Sequence, residues 1–176
     1  PRRGRVIIAP AIREGHELRP ELLAATALDD ATRLREEDPF TARIAAVVPT
    51  HLIARRSRFE VDLNRPRDRA VYRTPDDAWG LELWRVPLDE AMLLRSLVEY
   101  DAFYAELERV LRAQPGRFVV LDLHSYNHCR DHQPADPAMN PEINLGTGTV
   151  DRARWGTLVE RFCVPLQAAG PSRVRH

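Results

Sequence analysis

The chain contains no lysine; all 26 of its basic residues are arginines. Mechanisms that need a lysine amine, such as a Schiff base or a phosphate-binding P-loop, are therefore excluded. Cysteine is nearly as scarce. Cys129 and Cys163 make up neither a Cys-x-x-Cys motif nor a disulfide framework, so a reducing, cytoplasmic setting is expected. No apolar run approaches the roughly 20 residues that a membrane helix needs. The N-terminal PRRGRVIIAP is apolar only from Val6 to Ala9, too short for a signal peptide. Charge of one sign is also lacking: 26 acidic residues balance the 26 arginines, so no bulk field recruits nucleic acid or an anionic membrane. Internal repeats and low-complexity tracts are absent as well.

What is present fits a globular domain. At about 150 residues per domain, 176 residues correspond to one, and 44% hydrophobic with 30% charged residues argues against wholesale disorder. Val6 to Ala9 reads as a short buried strand, followed by a polar loop from Pro10 to Arg19. Pro20 suits the first position of a helix, and Asp29 to Glu37 reads as a second short helix stopped near Pro39. Ile44 to Val48 is ambiguous between strand and helix. Phe59 to Leu63 alternates apolar and acidic residues, the period of a half-buried strand, and Asn64 to Asp68 breaks it as a turn.

From Leu88 the period changes. Leu93, Leu97, Tyr100, Tyr104, Leu107 and Leu111 recur at spacings of four and three along one face of a long helix, which Pro115 and Gly116 end. Phe118 to Leu121 is a continuous apolar run, the pattern of a central strand covered on both faces. Strand, long helix, strand predicts an α/β fold, with ligands gathering beyond the carboxyl ends of the strands. Cys129 to Pro141 is a long loop beside that edge. Arg152 to Val164 reads as a last helix, after which no clear strand follows.

Three segments carry residues suited to chemistry. In VVLDLHSYNH (119–128), His124 stands where a buried strand meets a polar loop, and Asp122 lies on the same strand face. A carboxylate there would orient the imidazole for a metal ion; the alternative is a strand-end histidine bonded to its neighbours. His128 and His132 are loop histidines. In SRFEVDLNRPR (57–67), Arg58, Asn64 and Arg65 offer donors that match a carboxylate, unless Glu60 and Asp62 neutralise the arginines in structural ion pairs. In the segments 12–22 and 34–41, His16 follows a strand and a glycine, while Glu36, Glu37 and Asp38 are either hard oxygen ligands or the solvated end of a helix.

Taken together, DLHSYNH (122–128), SRFEVDLNRPR (57–67), GHELRPEL (15–22) and NPEINLGTG (140–148) resemble the N-formylglutamate amidohydrolase family, relatives of the zinc carboxypeptidases and of aspartoacylase. The resemblance runs in order from about Val6 to Phe162. REEDPFT and PDDAWGLELW look like a bacterial subgroup of that family. The resemblance implies a three-layer, zinc-carboxypeptidase-like α/β fold with a mixed, largely parallel central sheet flanked by helices. It also implies one domain over residues 1–176, with a late strand carrying the general-base glutamate expected beyond His176. The implied activity is zinc-dependent hydrolysis of the amide bond of a small N-acyl amino acid, N-formyl-L-glutamate giving formate and glutamate. The partner is thus a small acidic substrate, with neither nucleic acid nor membrane involved. Carried over residue by residue, one Zn²⁺ would be held by His16, Glu37 and His124. Asn64 and Arg65 would hold the substrate carboxylate, and Arg58 would polarise the scissile carbonyl.

One position departs from the pattern. Similar sequences read Ile-His-x-Gly-His where this chain reads Ile12-Arg13-Glu14-Gly15-His16, so the expected first ligand is Arg13, and a guanidinium cannot coordinate zinc. Two other readings follow. One is a catalytically impaired relative that binds acidic ligands, with Arg13 joining Arg58 and Arg65. The other is a related amidase or carboxypeptidase with a different substrate.

Overall fold

The computed structural model describes residues 6–127, 141–170 and 174–175. They fall into two compact units, one up to Tyr126 and one from Asn127 onward.

The first unit is built on strand β1 (Val6–Ala11), which pairs in parallel with β2 (Thr50–Ile53) and β3 (Phe118–Val120) in the order β2-β1-β3. The register sets Ile8 opposite Thr50 on one side and Val120 on the other. Ile8 is fully buried, as the apolar run predicts, and so is Ala11, since the strand continues through Pro10 and Ala11, which were expected to open the polar loop. The expected central strand is therefore displaced: β1, not the 118–121 run, lies in the middle. Phe118 and Val120 are 38% and 40% exposed, because alternate residues of a strand point to opposite faces and this face is open.

Four helices belong to this unit: α1 (Pro20–Ala25), α2 (Asp30–Glu36), α3 (Thr41–Ala45) and α4 (Glu90–Arg112). Pro20 opens α1 as expected, and the Asp29 carboxylate caps α2 by accepting from the Thr32 amide at 2.7 Å. Residues 44–48 resolve as the end of α3 and the turn after it. Asp89 caps α4 through the Met92 amide. The predicted apolar face of α4 buries Leu93 and lays Tyr100 and Phe103 on Ile12, Ala54 and Leu63. Its two tyrosines also serve the loop beneath them: Tyr100 donates to the Arg65 carbonyl at 3.0 Å and Tyr104 to the Leu63 carbonyl at 2.6 Å.

The segment Phe59–Leu63 is not a strand. Amides of Glu60 and Val61 both fold back on the Ser57 carbonyl, and all five residues are buried. The alternation that suggests a half-buried strand has another cause, since the acidic side chains point at Arg19 and Arg58 rather than at water. Glu60 accepts from the Arg19 amide and Nε at 2.9 and 2.8 Å, and Arg19 also reaches Ser96 on α4 at 2.7 Å. Two short 3₁₀ turns follow, at Arg67–Arg69 and Pro75–Ala78.

In the second unit, α5 (Arg152–Ala168) begins at an Asp151 cap and contains Pro165. Short parallel strands β4 (Ile143–Asn144) and β5 (Val174–Arg175) pair there, so a strand does follow the last helix, contrary to expectation. His128, Cys129, His132 and nearly all of the loop predicted over 129–141 lie outside the described residues. Among the described residues no helix is long and apolar enough to cross a membrane.

Candidate active site

Beyond β3 the chain keeps its alignment with β1: the Leu121 amide donates to the Ile8 carbonyl at 2.9 Å and that of Leu123 to Pro10 at 3.0 Å. This delivers Asp122 and His124 to the carboxyl edge of the sheet, beside the loop that leaves β1. That loop is fixed by Gly15. A Cβ at this position would lie 2.3–2.4 Å from backbone atoms of Arg55 and Arg56, so only glycine allows the close approach that aims Arg13 and His16.

The third contributor follows α2. Glu37 has an extended backbone (φ −80°, ψ 178°), so it and Asp38 project to opposite sides, and both are almost fully buried. Glu37 accepts from Ser57 Oγ and pairs with His16 Nδ1, while His16 Nε2 lies 2.9 Å from Asp30, itself 2.7 Å from Arg33. Asp38 takes the other side. Its Oδ2 accepts from Arg13 Nε at 3.1 Å and lies 2.8 Å from His124 Nδ1. Arg13 Nη2 is 3.0 Å from that same Nδ1, and His124 Nε2 is 3.1 Å from Asp122.

These contacts shift the titrations. Burial pushes the Glu37 carboxyl up, against the bonds from Ser57 and His16. Burial disfavours charge on His16, yet its bonds to Glu37 and Asp30 outweigh that and raise it. His124 is likewise opposed by burial, but Asp122 and Asp38 push it up to about 9, against the charge of Arg13. The raised value favours the protonated ring at neutral pH, with its two N–H groups toward Asp38 and Asp122 and with Arg13 as a second cation on Asp38.

A second cluster lies alongside. Arg58, 5% exposed, donates from Nη2 to Asp62 at 2.7 Å and to the Tyr72 hydroxyl at 2.9 Å, and Tyr72 donates to Asp62. Its Nη1 reaches the Glu36 carbonyl at 3.1 Å, tying the two clusters together. Arg58 Nε is buried and has no hydrogen-bond partner among the described residues. Arg65 is less enclosed. It donates to the Asp77 carbonyl at 2.7 Å, stacks 4.5 Å over the Tyr72 ring, and lies 3.9 Å from Asp62. Trp79, 58% exposed with φ 55°, covers Arg58 at 4.6 Å. Asn64 is exposed, its amide donating to Asp62 at 3.0 Å. A cavity of about 540 Å³ lined by Leu52, Arg56, Glu99 and Phe103 holds none of these groups.

The predicted residues are therefore brought together in part. His16 and Glu37 touch; His124 joins Asp38 instead of Glu37. Asn64 and Arg65 share the exposed rim, whereas Arg58 is packed inside, an arginine neutralised by Asp62. Ser57, Asp30, Tyr72 and Trp79 were not singled out from the sequence. Ser57 lies within the SRFEVDLNRPR string and Trp79 within PDDAWGLELW, the only signals that could have found them.

The donor chemistry does not fit a zinc ion. A zinc site needs three or four convergent lone pairs, and among the described residues no three His, Cys, Asp or Glu side chains are grouped to hold one. The two ring nitrogens of His16 face different carboxylates, and the N–H groups of Arg13 face His124 Nδ1.

The family model described as N-formylglutamate amidohydrolase matches residues 6–175. No curated protein and no solved structure matches the chain.

Proposed function

Because the chain belongs to the N-formylglutamate amidohydrolase family, a family of hydrolases, we propose that it cleaves the amide bond of a small N-acyl amino acid with an acidic side chain, N-formyl-L-glutamate and water giving formate and L-glutamate. The observation that carries this reading is the family match over residues 6–175; Arg65 and Asn64 at the rim support it. A zinc-carboxypeptidase-like arrangement of layers follows from the same relationship, and the parallel order β2-β1-β3 supports it.

Arg65 binds the substrate carboxylate. Its guanidinium is pre-set by the Asp77 carbonyl and the Tyr72 ring, and its nearest carboxylate, Asp62, is already engaged by Arg58. Each charge-assisted bond it makes is worth about 1.5–3 kcal/mol. The exposed Asn64 side chain adds a second polar contact. Arg58 is a positioning residue, holding Asp62 and Tyr72 in place beneath Arg65. At the sheet edge, Arg13 and the protonated His124 face the scissile carbonyl and stabilise the oxyanion; losing one such donor costs about 10²–10³ in rate. Asp122, the solvent-open carboxylate on that edge, takes the proton of the attacking water. As the C–N bond breaks, His124 gives its proton to the leaving amine. No step is routed through a metal ion.

The Arg13–Asp38–His124 contact favours a second reading, in which the chain binds acidic ligands and turns them over poorly or not at all. Formate release and calorimetric binding, measured on the same preparation with N-formyl-L-glutamate and N-acetylalanine, separate the two. Release with preference for the acidic substrate is the expected outcome. Tight binding of N-formyl-L-glutamate without release selects the second reading, and neither binding nor release rejects both.

A further inference from the structure

We infer that the Arg13 guanidinium is a built-in substitute for a metal ion, set against both Asp38 and His124 so that the site holds its positive charge without a divalent cation. The inference concerns the same residues as the proposed hydrolysis and goes beyond it by assigning the site's resident positive charge to a side chain.

The geometry is specific. Arg13 donates from Nε to Asp38 Oδ2 at 3.1 Å, and its Nε and Nη2 lie 3.2 and 3.0 Å from His124 Nδ1. The two atoms best placed to be ligands are thus both met by one guanidinium, which has no lone pair and stays protonated. Asp38 is 2% exposed and the Arg13 side chain 15%, so the pair is an enclosed one rather than a surface contact. An incoming dication would meet a fixed positive charge at the position it needs.

The remaining donors lie near the spacing of a metal site without matching it. Two ligand atoms about 2.0 Å from zinc at a tetrahedral angle lie about 3.3 Å apart, about 0.5 Å wider than the 2.8 Å hydrogen-bond contact between Asp38 Oδ2 and His124 Nδ1, so the pair has to part slightly to take an ion. His16 offers no second solution, because its ring nitrogens point in opposite directions, one at Glu37 and one at Asp30. The site is one side chain away from three convergent ligands, and Arg13→His supplies the third.

The test is metal binding by the full chain, read by zinc calorimetry and by the visible absorption of bound cobalt, without substrate. Wild type should take up no stoichiometric zinc or cobalt. Arg13→His should bind one equivalent at least roughly 100-fold more tightly than wild type, since even outer partners of a metal site shift affinity 10–100-fold. Adding His124→Ala to Arg13→His should abolish that binding. A wild type that binds one equivalent, and loses it on His124→Ala, overturns the inference, as does a folded Arg13→His that gains no metal. Should Arg13→His fail to fold by far-ultraviolet circular dichroism, the wild-type titration still decides. Formate release is a separate readout: wild type without metal and without turnover rejects the hydrolysis and leaves the inference standing.

Discussion

Replacing Asp62 by asparagine tests whether the arginine cluster is a single charge-balanced unit. Asp62 is 1% exposed and receives four neighbours: Arg58 Nη2 at 2.7 Å, the Tyr72 hydroxyl, the Asn64 amide at 3.0 Å, and Arg65 Nε at 3.9 Å. Asparagine keeps the shape and removes the charge, leaving Arg58 buried with a Nε that already lacks a partner among the described residues. Breaking a buried pair from one side costs about 3–5 kcal/mol, a large part of the roughly 5–15 kcal/mol that holds a domain together. The midpoint of thermal unfolding should fall by roughly 6–20 °C. Burial pushes the Asp62 carboxyl up, but the Arg58 charge, with the Tyr72 and Asn64 bonds, holds it below the usual range. A depressed carboxyl stabilises the fold above its unfolded value of about 4 and loses that contribution as pH falls through the folded value. The gap between wild type and Asp62→Asn is therefore full at neutral pH and narrows in acid. Urea unfolding of Asp62→Asn, Arg58→Met and the double variant measures the coupling. The double variant should cost less than the sum by about 0.5–3 kcal/mol; additive costs, or a loss below about 1 kcal/mol for Asp62→Asn, would refute the single-unit picture.

Other substitutions probe the remaining parts of the site. Gly15→Ala drives a methyl into the Arg55–Arg56 backbone and should destabilise by about 3 kcal/mol, seen as a lower urea midpoint; an unchanged midpoint would mean the loop moves freely. Arg65→Ala should weaken N-formyl-L-glutamate binding at least roughly tenfold, one charge-assisted bond's worth, while shifting the unfolding midpoint little; a large stability loss with unchanged affinity would make Arg65 structural. His124, raised from 6.5 to about 9, contributes stability that is complete below its unfolded value and fades as pH rises through about 9. Wild type should therefore lose its advantage over His124→Gln between neutral pH and pH 10, and a constant gap by thermal melting would show that His124 is not protonated in the fold.

The sequence made some of this legible and hid the rest for identifiable reasons. β1 stands where its apolar run puts it, around the buried Ile8, and α4 where its period puts it, with Leu93 buried and Tyr100 laid on Ile12, Ala54 and Leu63. Phe59–Leu63 misleads because its alternation has the period of a strand but serves an ion-pair network: Glu60 and Asp62 turn inward to Arg19 and Arg58. β2 was hidden in a run that begins with Pro49 and carries His51, too polar to read as a strand, and is held by its pairing with β1. At the site, the strings around His16, Glu37, Arg65 and His124 are all in one unit, but which acid meets which histidine was not readable. That choice depends on one dihedral angle: the extended ψ of Glu37 sends Glu37 to His16 and Asp38 to His124.

Charge balance explains why arginine is tolerated at position 13. Along the sheet edge the order is Asp122, His124, Asp38, Arg13, with each neighbour in contact with the next. With His124 raised to about 9, the two carboxylates face two cations at neutral pH, and the group is neutral as it stands. With histidine at position 13 and both imidazoles neutral, the same carboxylates would leave two negative charges, the amount a dication cancels. Arg13 and the proton on His124 together supply that charge from within the chain.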